Sequence, residues 1–117
     1  MNDRINNLAV DTAAWVPRDG EAPNAERLLR GNGLTLVRIS FRHGQVLDDH
    51  RAPGPILIQC LSGAIDLEVT TEAGRQSHRL DAGSVIHVDA NNPHRLRAID
   101  DAVVHVVLHR NVAAPTA

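Results

Sequence analysis

From Leu34 onward the chain is written in short alternating runs. Val37, Ile39 and Phe41 fall on one face of an extended segment, with Arg38 and Ser40 on the other. That period of two predicts a half-buried strand over Leu34–Phe41. Gly44-Gln45 turns the chain, and Val46–Asp49 reads as a short strand. Pro53-Gly54-Pro55 breaks the pattern, and the β-rich apolar run Ile56–Leu61 then ends at Ser62-Gly63. Ala64–Thr70 alternates again, Glu72-Ala73-Gly74 turns, and Gln76–Leu80 returns to Asp81-Ala82-Gly83. Val85–Val88, Arg95–Ala98 and Val103–Leu108 are the last three strands. No amphipathic helix separates these runs, so the pattern predicts an antiparallel sandwich or barrel. Its expected core is Val37, Ile39, Phe41, Ile56, Ile58, Cys60, Ile65, Leu67, Val85, Ile86, Val88, Val104, Val106 and Leu108.

Residues 1–33 read as an N-terminal arm, punctuated by Asn, Asp, Gly and Pro. Val16 precedes Pro17 and is biased to extended backbone. Trp15 is expected to pack across the barrel or onto a partner, because a lone exposed tryptophan is costly. Glu26–Arg30 is predicted to form one helical turn, closed by Gly31-Asn32-Gly33. The barrel is assigned to 34–110 and a flexible tail to 111–117.

Composition narrows the function classes. The chain has 117 residues, enough for one domain with one core. A net charge of −2 gives no basic field, so no nucleic acid is expected as a partner. All 12 basic residues are arginine, which excludes a lysine nucleophile or Schiff base and makes each cationic contact a planar fork suited to carboxylates. A single cysteine, Cys60, cannot close an internal disulfide, and no charged and then apolar leader follows Met1. A cytoplasmic location is expected. No apolar run approaches the roughly 20 residues of a membrane helix. Trp15 and Phe41 are the only aromatics besides histidine, so stacked sugars or nucleobases are less suitable ligands.

The candidate chemistry rests on spacing. Gly44 is followed six residues later by His50 and thirteen after that by Gly63, and Gly83 is followed eleven residues later by His94. The segments DHRAPGPILIQCLSG and AGSVIHVDANNPHRL therefore resemble the two motifs of the cupin superfamily, in particular its short, single-domain bacterial members. The resemblance covers Leu34 to Leu108, about two-thirds of the chain. It implies an all-β, antiparallel cupin barrel (a double-stranded β-helix or jelly roll), with His50 and His94 as metal ligands pointing into one cavity. It departs from the superfamily pattern at four positions. Ala52 replaces the second histidine, Ile56 the glutamate, Asp89 a proline and Asn91 a glycine.

Neutral imidazoles suit zinc, nickel and copper, whereas iron and manganese favour a carboxylate that Ile56 does not supply. A divalent metal is thus an optional cofactor. Alternation from Phe41 places His43 near the mouth, as the best third nitrogen, and Ile56, Ile58 and His105 complete the expected ligand pocket. With Ile56 at the glutamate position, alternation turns Gln59 away from it, and only a local bulge would bring Gln59 inward. His78, His87 and His109 are expected at the surface. Asp48-Asp49 and the pair Asp66/Glu68 read as solvated turn and sheet residues. Cys60 reads as a buried inert thiol.

The first reading is a small-molecule-binding cupin, a stand-alone sensor or accessory protein. The alternative is a metal-dependent enzyme, isomerase- or dioxygenase-like, acting on a small oxygenated or carboxylate substrate through His50 and His94. A regulator's sensor fragment would need a helix-turn-helix for which the sequence has no segment. The apolar residues of the arm, Trp15, Val16, Leu28 and Leu29, predict a homodimer.

Overall fold

Alternation becomes architecture wherever two strands share a buried face. A computed structural model of the chain describes residues 9–10 and 14–109. The expected tail at 111–117 lies outside them. Nine strands occur among the described residues: β1 Asn24–Arg30, β2 Leu34–Phe41, β3 Val46–His50, β4 Ile56–Ser62, β5 Ala64–Thr71, β6 Gly74–Asp81, β7 Val85–Val88, β8 His94–Ala98 and β9 Ala102–His109. All pair antiparallel. One sheet has the order β1-β2-β9-β4-β7 and the other β3-β8-β5-β6. The described residues contain no helix. This is an antiparallel barrel as the alternating runs predict, in the jelly-roll form that the resemblance implies.

The inner face of the five-stranded sheet is built in rows of partners. They run Ala25–Ile39–Val104–Cys60, then Arg27–Val37–Val106–Ile58–Ile86, then Arg30–Thr35–Leu108–Ile56–Val88. The four-stranded sheet answers with Ile65, Leu67 and Leu96, all at most 1% exposed. Burying a side chain of this size stabilises the fold by about 1.5–3 kcal/mol. Ionic pairs take the outer face of that sheet: Arg95 with Asp48 and Glu68, Arg75 with Asp49 and Glu68, and Arg97 with Asp66. The acidic residues of β3 and β5 are therefore solvated partners of arginine, as their turn and sheet chemistry implies.

Three details differ from the sequence reading. Residues 26–30 belong to β1, because pairing with β2 outweighs the helical propensity of Ala, Glu, Arg and Leu. Val85 is 57% exposed, since Ile86 and Val88 take the inward positions of β7. Leu80, Val69 and Leu96 join the core beyond the residues expected there.

The segment before β1 is tied to the barrel by hydrogen bonds. Gln45 is buried, accepts from the Arg42 N–H and donates to the carbonyls of Arg18 and Gly20 at 2.8 and 2.9 Å. Trp15 Nε1 donates to the Phe41 carbonyl at 3.0 Å, with the Arg42 guanidinium over its ring. Trp15 still remains 41% exposed.

Candidate functional site

Two imidazoles meet because two strands carry them in register. His50 ends β3, His94 opens β8, and the two are direct partners. Strict alternation from the pair Leu47–Leu96 would instead bring Asp49 opposite His94. A bulge between Leu47 and His50 inserts one residue and turns His50 inward. Asp49 then points to Arg75 on the outer face. The rings lie edge to face, with centroids 4.1 Å apart and an interplanar angle of 62°.

Each ring is oriented in the same way. His50 Nδ1 lies 3.0 Å from the Asp48 carbonyl, and His94 Nδ1 lies 3.0 Å from the Asn92 carbonyl. A carbonyl oxygen only accepts, so each Nδ1 carries the proton and donates it. In the neutral ring this leaves the Nε2 lone pair as acceptor or ligand. Burial pushes the His94 pKa below the usual 6.5, aided by the neighbouring His50 and opposed by the Asn92 carbonyl and Asp49. His94 is therefore a neutral nitrogen donor at neutral pH.

The pair opens onto a cavity of about 690 Å³ inside the barrel. Its floor is apolar, with Ile39, Leu47, Ile56, Ile58, Leu96 and Val106. Ala52 and Ile56, which stand at the two lost ligand positions, both line it, and Ile56 is 3% exposed. Among the described residues no group of three His, Cys, Asp or Glu is placed to hold a metal ion. The donor set thus comprises two Nε2 atoms and lacks the third protein ligand that catalytic zinc sites keep. It does not fit the four-ligand metal centre of the superfamily pattern.

The other expected pocket residues divide. Ile56 and Ile58 line the cavity, and His43 and His105 do not. β2 ends at Phe41, so the alternation that would carry His43 inward stops before it. His43 is exposed in the turn leading to β3, where its backbone N–H binds Asp101. His105 pairs with Arg38 and Gln59 on the outer face of the sheet. Gln59 faces away from the cavity, as alternation predicts.

Sequence reasoning missed four residues that line the mouth: Arg27, Arg30, Arg51 and His109. A period of two beginning at Ala25 would have signalled Arg27. Arg30 faces inward only because of a bulge between Arg27 and Leu29. Cys60 is buried, and its pKa is raised chiefly by burial and then by Asp81, which suits an inert core thiol.

The fold recurs in solved proteins. A conserved protein of unknown function from Streptococcus pyogenes is 21% identical with a TM-score of 0.73, over 96% of this chain and 95% of that one. A cupin superfamily protein from Desulfitobacterium hafniense is 14% identical with a TM-score of 0.74, over 94% and 97%. Oxalate decarboxylase from Bacillus subtilis is 15% identical with a TM-score of 0.73, over 92% of this chain and 30% of that larger one. These likenesses establish the fold. No curated protein matches the chain. The sequence profile of the Cupin domain matches residues 37–109, from the core of β2 to the end of β9. By that match and by its two-sheet barrel, the chain belongs to the cupin family.

Proposed function

We propose that this cupin binds a small molecule in its barrel cavity, as a sensor or accessory protein, and is not a metal-dependent catalyst. The observation that carries this reading is the cavity itself. It is about 690 Å³, within the range of small-molecule sites, and among its polar lining groups, which include the two paired imidazoles, there is no carboxylate. Ile56 fills the place of an anionic ligand with an apolar side chain.

A second reading has one observation in its favour. Both Nδ1 atoms are engaged by backbone carbonyls, which leaves both Nε2 atoms as donors. Second-partner hydrogen bonds of this kind orient metal-ligating histidines. Zinc, nickel or copper would be held there, by His50 and His94 with water completing the set, and the chain would then act on a small oxygenated or carboxylate substrate.

Metal content separates the two. Protein purified without chelator or nickel resin and then dialysed is assayed by plasma mass spectrometry. The binding reading predicts well under one equivalent of any transition metal. A full equivalent of any transition metal overturns it, and zinc, nickel or copper at that level favours the second reading.

We further propose that the chain is cytoplasmic, supported by its lone reduced cysteine, and that it pairs as a homodimer. Leu57, Leu61 and Val85 are at least 36% exposed on the outer face of the five-stranded sheet. Together with Trp15 and Val16 they give a two-fold contact its apolar surface.

A further inference from the structure

We infer that the ligand of the cavity is an amphipathic monocarboxylate, with its carboxylate held at the mouth by Arg27, Arg30 and Arg51 and its apolar body in the barrel. The inference rests on reading the cavity as a binding site and names what that site takes.

Charge is the first observation. The residues lining the cavity include three arginines and three histidines, and no aspartate or glutamate. Among the described residues none of Arg27, Arg30 and Arg51 has an ion-pair partner, whereas Arg38, Arg42, Arg75, Arg79, Arg95 and Arg97 all do. All three arginines that face the cavity are thus without an internal counter-ion; of the other described arginines only Arg18, in the exposed segment before β1, shares that state. A guanidinium fork matches a carboxylate with two parallel hydrogen bonds.

The bulges are the second observation, and they are independent of the first. Without the β1 bulge, Leu29 would pair with Thr35 and face the cavity. With it, Arg30 takes that place and Leu29 turns outward to Leu36. Without the β3 bulge, Asp49 would face the cavity beside His94. With it, His50 does. One bulge therefore adds a cation to the lining and the other removes an anion. Bulges re-aim side chains in this way beside functional sites.

The floor supplies the rest. Below the arginines the rows continue as Val37–Val106–Ile58 and Leu108–Ile56, and Leu47 and Leu96 close the opposite side. Thr35 is the single hydroxyl in the lining, so a polyol would leave most of its hydroxyl groups unpaired. A cation would find no counter-charge. An aliphatic chain carrying one carboxylate satisfies both ends.

The test uses full-length protein labelled at isoleucine methyls, titrated with octanoate, octanamide, octyl phosphate and acetate. Shifts at Ile56 and Ile58 report occupation of the barrel. Octanoate is expected to bind about tenfold or more tighter than octanamide, a gap of about 1.4 kcal/mol, and acetate to leave the barrel methyls unmoved. In Arg27→Gln/Arg30→Gln, octanoate should weaken toward octanamide while octanamide itself is unchanged, with the methyl spectrum confirming the fold. Equal affinity of octanoate and octanamide overturns the carboxylate and leaves the cavity a binding site. Tighter binding of octyl phosphate than of octanoate moves the head group to phosphate and also overturns it. Barrel methyls unmoved by every probe overturn the ligand class, while metal content judges the binding reading separately.

Discussion

Asn91 stands where the superfamily motif has glycine, and its backbone explains why asparagine is tolerated. Its φ is 67°, the left-handed region that asparagine visits at low cost. Its N–H also donates to the Ala52 carbonyl, which fastens the His94 turn to the loop beyond His50. Asn91→Ala should cost about 1–2 kcal/mol in urea denaturation, while Asn91→Gly stays close to wild type. Next to it, His94 makes stability depend on pH. Burial penalises its protonated form, so the folded chain holds that proton less tightly than the unfolded chain does. The contribution is fully present above the ordinary value of 6.5 and is lost as pH falls below it. Urea midpoints should drop on acidification through that range, and His94→Gln should flatten the drop. Ala52 and Ile56 carry the third expectation at this scale. Ala52→His/Ile56→Glu should acquire manganese(II) binding, read by electron paramagnetic resonance, that wild type lacks. Without metal the same variant should lose several kcal/mol, because it buries an unpaired carboxylate.

Strand by strand, the sequence was legible where alternation and glycine turns agreed. Val37, Ile39 and Phe41 face the core as their spacing predicts, and Gly44 and Gly83 lie in turns. Legibility failed where pairing departs from a period of two. The bulges in β1 and β3 are set by partner strands, so nothing local announced that Arg30 would face inward, and His50 was placed there by its motif spacing and not by alternation. β1 itself was misread as a helical turn, since its residues favour helix in isolation and only β2 makes them a strand. His43 was lost for the opposite reason: alternation was carried past the end of β2. The turn between β4 and β5 gives a sharp test of element geometry. Gly63 has φ of 74°, and a Cβ there would meet the Asp101 carbonyl and lie 2.9 Å from Ala102 Cα. Gly63→Ala should therefore cost more than about 1 kcal/mol. Val85→Ala, on an exposed position of edge strand β7, should fall within about 0.5 kcal/mol of wild type.

The molecule as a whole presents two contrasting outer faces. The four-stranded sheet shows arginine–carboxylate pairs, and the five-stranded sheet shows the apolar row Leu29–Leu36–Val107–Leu57. Homodimer formation should therefore use the second face. Light scattering at micromolar concentration should give the mass of two chains, and Leu57→Asp/Val85→Asp should give the mass of one. A monomeric wild type would refute the pairing. Between the sheets lies the feature on which the functional account depends, a cavity whose two imidazoles lack the usual carboxylate. Calorimetric titration of wild type and His94→Ala with zinc and with iron(II) tests that most directly. The account predicts at most weak zinc binding by wild type, abolished in His94→Ala, and no measurable iron(II) binding by either. Tight iron(II) binding by wild type, or unchanged zinc binding in His94→Ala, would contradict it.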